Sequence, residues 1–289
     1  MAITSQQIRA VTADLYEWSL KQIPPDTRQF LGRAEGQERN EVGKKTLTIM
    51  MKSADAAQGQ GGLVCSDVGI PTYSVKIGTR VQFDGAVKQA IVDGFADLAA
   101  RIDPPILQMV TNPLTHVRGY VGKDIPIVTY DLIDDADYID IVCAPKAMGT
   151  GRWEALETFV YPTHETIERY VLETVLKAGS QACPPIVVGV GIGGTFDYAA
   201  RMAKDAVLRP FGRTNPEPIL ADMERRLLGA INEMGFGPMG TGGDTTAMAV
   251  HINYAGSHGF MPVAVSLNCW INRRTSARIH HDGRVERIE

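Results

Sequence analysis

The chain has 289 residues, a formal net charge of −4 and no basic cluster, which argues against nucleic acid as a partner. Hydrophobic residues make up 44% and charged residues 21%, the balance of a soluble globular protein long enough to bury a large core, as one big domain or two intertwined ones. No run approaches the length of a membrane span, and the N-terminal stretch lacks the basic and apolar parts of a signal peptide, so the expected address is the cytoplasm, where four well-separated cysteines suggest metal, redox or burial roles before disulfides.

Residues 6–22 carry Ile8, Val11, Leu15 and Leu20 at helical spacing, and Pro24 and Pro25 stop the helix. A second helix is expected over 27–52, with a break near Gly36. A flexible glycine-rich approach over 56–62 then leads to Leu63-Val-Cys-Ser-Asp-Val-Gly, where Cys65 should leave a short strand for a turn. Alternation predicts a strand over 73–81, and Phe83 to Ile102 reads as a helix ended by Pro104 and Pro105. Residues 106–122 form a loop. Two strands, 126–132 and 138–142, are joined by the acidic turn Asp134-Asp135-Ala-Asp137, and Cys143 ends the second of them. Thr163 should cap a helix over 163–178, with Glu165 in its first turn favoured by the helix dipole.

Cys183 precedes two prolines and is expected at a stiff, extended entrance to the buried strand 186–190. Four glycines fall within residues 189–194, before a helix that Thr195 or Asp197 can cap. Gly189-x-Gly191-x-x-Gly194 fits the dinucleotide fingerprint literally. That fingerprint requires an acidic residue closing a second strand about twenty positions on, and here the region is loop. A helix over 217–234, a second glycine-rich loop over 235–244, a strand over 246–254 and a strand over 262–268 follow, the last delivering Cys269, Arg273 and Arg274. No internal repeat or long linker divides the chain. The expected fold is α/β (mixed α+β), several short strands with surrounding helices, as a single domain over 1–289.

Cys65, Cys183 and Cys269 each sit at the mouth of a strand beside glycine, proline or a turn, too far apart in sequence for a short CxxC site. Cys143 simply ends an apolar strand and reads as a buried small hydrophobe. Cys65-Ser-Asp-Val-Gly resembles the Cys-Gln-Asp-Thr-Gly motif of the class I, iron–sulfur fumarases and the L-tartrate dehydratases. Cys183-Pro-Pro with Gly193-Gly194-Thr195 resembles the second cysteine motif of that family. Gly237-Pro-Met-Gly-x-Gly-Gly-x-Thr-Thr and Val265-Ser-Leu-Asn-Cys269 resemble the segment carrying the third, and the likeness runs from about residue 45 to 275.

This resemblance implies a cluster-binding, fumarase-type N-terminal domain acting as a hydro-lyase on a 2-hydroxy dicarboxylic acid. It implies a 4Fe-4S cluster held by Cys65, Cys183 and Cys269, with one iron open to substrate. Asp67 matches an aspartate implicated in proton transfer, and His258, eleven residues before Cys269, resembles an active-site histidine at a spacing one residue short. Ser66, Gly149, Arg273 and Arg274 fall at positions implied to contact substrate. Ser66 stands where the family usually has glutamine, Arg152 where it has an amide, and residues 107–111 lack its arginine, which points to a substrate other than fumarate. Only the cluster-binding part is matched, implying a separate β subunit and an oligomer. The alternatives are a non-catalytic cluster-binding paralogue and a dinucleotide-binding oxidoreductase.

Overall fold

A computed structural model describes residues 2–288 as a mixed fold that divides into two compact units. One unit takes the chain up to Pro24, Ala54–Ala147 and the stretch from Arg273 onward, and the other takes Pro25–Ser53 and Met148–Asn272. Because each unit is assembled from separate segments, no linker marks them in the sequence. Among the described residues no helix is long and apolar enough to cross a membrane.

The first unit is built on a five-stranded sheet in the spatial order Val285–Ile288, Thr275–His280, Tyr138–Cys143, Thr72–Gly78, Ile127–Ile133. Neighbours are antiparallel except for the last pair. The two strands flanking the acidic turn are therefore not partners, because the Thr72 strand lies between them. The helices Ser5–Lys21 and Val87–Arg101 share a core with this sheet, including Ile8, Leu15, Ile91, Leu98, Ile139 and Ile141. Thr4 and Gln7 form a reciprocal capping box at the first helix, which satisfies amides that have no partner within it. Tyr16 meets Phe95 edge-on at 5.2 Å, and its hydroxyl donates to the carbonyl of Val68.

The second unit holds a four-stranded sheet in the order Ala247–Ala255, Ile186–Gly193, Phe260–Asn268, Ala155–Val160. The first pair is parallel and the rest antiparallel. The Ile186 strand is buried throughout, and its period of two explains its composition. Ile186, Val188, Val190 and Ile192 share one core with the helices His164–Ala178 and Pro218–Glu233. Gly189 and Gly191 fall on the other face, where the helix Phe196–Ala206 lies so close that a Cβ would overlap the carbonyl oxygens of Ala203 and Ala199. Those glycines serve helix-on-strand contact, and with one parallel neighbour the strand does not sit in a doubly wound sheet.

Several boundaries differ from expectation for local reasons. The long second helix is two, Pro25–Gln37 and Glu41–Gly59, because Asn40 breaks it, accepting from Val42 N and Gly43 N at the new start. That second piece runs through most of the glycine-rich approach expected to be flexible. Thr163 caps the His164 helix as expected. Thr195 occupies the cap of the Phe196 helix, but its hydroxyl donates to the Asp197 carboxylate and accepts from no backbone amide of the first turn.

Substituting Gly191→Ala should destabilise the chain by about 3 kcal/mol, since neither strand nor helix backbone can withdraw. Thermal unfolding should show a fall of roughly 5–10 °C. Gly229→Ala, in a helix with open space around the added methyl, should leave the transition unchanged or raise it. Equal effects would refute the packing account of Gly191.

Candidate active site

Cys183 and Cys269 are brought to one end of the second unit's sheet by strand pairing. The Ile186 strand begins where the antiparallel Phe260 strand ends, with Val187 opposite Asn268. The amide of Trp270 donates to the carbonyl of Cys183 at 3.2 Å, and the amide of Asn272 to that of Cys269 at 2.9 Å. Cys183 is not extended. It closes the 3-10 turn Gly179–Ala182 in the left-handed region, at φ 52° and ψ 61°. The following proline disfavours the right-handed helical conformation, and a left-handed residue is a common way for a helix to end. Its amide donates to Ser180 O at 3.2 Å.

In the first unit Cys65 lies in an irregular segment, not on a strand. The nearest regular pairing is the isolated bridge of Ile70 with Lys146. The segment is held by the amide of Val64 donating to Leu20 O and by a turn in which Asp67 Oδ1 accepts from the Gly69 amide at 3.0 Å. Gly69 has φ +73° and packs against the backbone of Lys146, so no larger residue fits. Ser66 is exposed and Asp67 half-buried.

Arg273 belongs to the same unit and is only 4% exposed. Its Nη1 donates to the carbonyl of Asp67 at 2.6 Å, while Nε and Nη2 are buried with no hydrogen-bond partner among the described residues. Nε and Nη2 form the forked edge that matches a carboxylate. Elsewhere in this chain the same edge is used that way, by Arg39 toward Asp244 and by Arg278 toward Asp140, each with bonds of 2.7 and 2.8 Å. A buried guanidinium with that edge unmatched is arranged for an anion.

Cys143 behaves as a structural residue. It is fully buried in the sheet of the first unit, and burial pushes its thiol well above the ordinary range despite hydrogen bonds to Tyr73 and Ser19. Cys65, Cys183 and Cys269 are half-buried. Gly149 lies in the short helix Met148–Gly151 of the second unit, and Arg274 is half-buried beside Arg273. His258 is not brought to the cysteine end of its unit. It is exposed in the turn between the Ala247 and Phe260 strands, at the opposite end of the sheet, roughly 25–30 Å away at ~3.3 Å per residue. There it stacks on Phe260 and lines a recess with Gly194, Tyr198 and Ser257. His251 is buried against Ala206 O, a structural position.

Thiolate is the ligand chemistry that iron–sulfur clusters take, and the half-buried thiols Cys183 and Cys269, which share one sheet end, suit such a cluster in kind. Among the described residues no three His, Cys, Asp or Glu side chains are grouped to hold a metal ion. A residue that sequence reading passed over is Glu38, a carboxylate only 5% exposed. Its one sequence signal was the helix break beside it.

The fumarate hydratase (Fumerase) family model matches residues 9–278, and the chain belongs to that family. It is thus a carbon–oxygen lyase of the hydro-lyase class. It is 34% identical over 287 residues to a Methanocaldococcus jannaschii protein provisionally named L(+)-tartrate dehydratase subunit alpha, covering 96% of this chain and 100% of that one. L(+)-tartrate dehydratase subunit alpha of Escherichia coli (strain UTI89 / UPEC) and that of Shigella boydii serotype 4 are each 29% identical over 272 residues, covering 92% of this chain and 88% of theirs.

Iodoacetamide at pH 8 should leave Cys143 of the native chain unmodified while Cys65, Cys183 and Cys269 react. A thiol whose pKa is raised by burial stays protonated and shielded at that pH. Peptide mass spectrometry reads the result directly, and labelling of Cys143 at the rate of the others would contradict its structural role.

Proposed function

We propose that this chain is the cluster-binding α subunit of a cytoplasmic two-subunit hydro-lyase that dehydrates a 2-hydroxy dicarboxylate of the malate or tartrate type. The observation that carries the substrate class is the buried, unmatched fork of Arg273. The relatives' names carry the subunit assignment, with a β subunit as partner.

In this reading Cys65, Cys183 and Cys269 hold a 4Fe-4S cluster. When bound, such a cluster with one iron free of protein ligands supplies a Lewis acid for the substrate hydroxyl. Arg273 clamps one carboxylate through Nε and Nη2 and fixes the orientation of the acid. Because Arg273 also holds the carbonyl of Asp67, the Asp67 carboxylate starts within one residue of that anchor. Asp67 takes the proton from the carbon next to the hydroxyl-bearing carbon. The electron pair of that C–H bond forms the double bond, the C–O pair leaves with the hydroxyl as hydroxide, and that hydroxide together with the proton taken by Asp67 makes up the water lost. Ser66, Gly149 and Arg274 are the further substrate contacts. His258, at the opposite end of its sheet from Cys183 and Cys269, is given no step in this reading.

Anaerobically purified chain should hold about four irons, as one cluster requires. Cys65→Ser, Cys183→Ser or Cys269→Ser should lose them, whereas Cys143→Ser should not. Iron-free protein under iron-replete reducing conditions, or equal loss in all four variants, would remove the cofactor assignment.

With its β partner reconstituted, Arg273→Lys should keep the charge but lose the fork, lowering kcat/KM on the order of 100-fold. Asp67→Asn should lower kcat by roughly 100-fold or more with iron content unchanged. Comparing malate, both tartrates and alkyl-substituted malates sets the substrate. A wide margin for malate would mean that the substitutions at Ser66, residues 107–111 and Arg152 do not alter specificity.

A further inference from the structure

We infer that Glu38 is a positioning residue for Cys183, acting through the glycine-rich loop 237–245. Its carboxylate is buried and accepts from four donors. Oε1 takes the amide of Asn40 at 3.1 Å and that of Asp244 at 2.9 Å. Oε2 takes the amide of Asp244 at 3.0 Å, the amide of Thr245 at 3.1 Å and the hydroxyl of Thr245 at 3.0 Å. Asn232 Oδ1 continues the series, accepting from Thr246 N and Ala247 N at 2.8 Å each. Four consecutive amides are thus held by two side chains just before the Ala247 strand joins its parallel neighbour. A buried carboxylate needs this many donors to be tolerated, and the loop needs an acceptor its own backbone does not supply.

The loop passes this restraint to the cysteine turn. Gly243 has φ +129°, and a Cβ there would collide with the Glu38 carboxylate. Gly242 N donates to Phe236 O at 2.8 Å and Thr241 N to Pro238 O at 3.0 Å, which closes the loop on itself. Gly240 lies against Ser180 with no room for a side chain, and the amide of Met239 donates to Pro184 O at 2.7 Å. Ser180 and Pro184 bracket Cys183, whose left-handed conformation is therefore clamped from both sides. Arg39, which forks onto Asp244 from an exposed position, adds a weaker outer tie.

Only the iron arm of the test rests on the proposed function. In the full chain, Glu38→Gln keeps the volume but replaces an acceptor oxygen with an amide that donates. Amide exchange in 239–246 should accelerate by about tenfold or more, the equivalent of one lost buried hydrogen bond. Residues 138–143, in the other unit, should exchange as before. In the iron-free chain, the alkylation rate of Cys183 should change at least threefold while those of Cys65 and Cys269 stay within a factor of two. Uniform destabilisation would move Cys183 and Cys269 together, so that selectivity separates positioning from a merely structural role. Thr245→Val, which removes only the hydroxyl donor, should show a smaller shift in the same direction and serves if Glu38→Gln does not fold. Unchanged exchange and unchanged Cys183 alkylation in both variants would overturn the inference. Iron retained by Cys183→Ser would overturn its assignment as a ligand instead, leaving the exchange and alkylation arms to decide the role of Glu38.

Discussion

The second unit depends on one close contact, the carbonyls of Ala199 and Ala203 lying directly over Gly191 and Gly189. Backbone meets backbone there, so the Phe196 helix fixes the plane of the Ile186 strand more tightly than side-chain packing would. The register of the antiparallel Phe260 strand follows from its alternation, since a slip of one residue would turn Val263, Val265 and Leu267 out of the core. With the register set, the start of one strand and the end of the other coincide, and Cys183 and Cys269 are neighbours by construction.

The first unit supplies a different kind of order. Its helices and sheet share a dense apolar core, and polar groups at the rim are matched with few exceptions. Arg273 is the informative exception, because the chain shows three times over how its arginines treat a carboxylate. Arg9, Arg39 and Arg278 all present Nε and Nη2 to an aspartate. On the proposed reading, the cost of burying Arg273 without such a partner is recovered when a substrate carboxylate arrives.

Much of this was legible in the residues. Strong periodicity disclosed the Ser5, Val87, His164 and Pro218 helices and the Ile186 and Phe260 strands, and burial bore out the reading of Cys143. Reading failed where tertiary contact outweighs local pattern. The left-handed Cys183 is set by the turn before it and the proline after it together, and proline alone suggested an extended residue. The strands Ala155–Val160, Thr275–His280 and Val285–Ile288 went unseen because polar residues interrupt them, half-buried ones in the case of Thr275–His280. The resemblance that singled out His258 says nothing of its place, and a nine-residue strand separates it from the Cys269 end of the sheet. Glu38 was passed over because, Asn40 apart, its partners lie more than 200 positions away.

The threading of the first unit also constrains the order in which the protein can be made. Thr275–His280 is an interior strand of the five-stranded sheet, and Ala277 and Ile279 bury into the same core as Ile139 and Ile141. On a ribosome, the helices and strands made first therefore wait, with a sheet edge and apolar surface uncovered, until residues 275–288 emerge. Every segment of the second unit has been synthesised before that point. The unit that begins the chain is thus the last to close, and its unfinished sheet is the stage at which a nascent chain is open to aggregation or to a chaperone's grip.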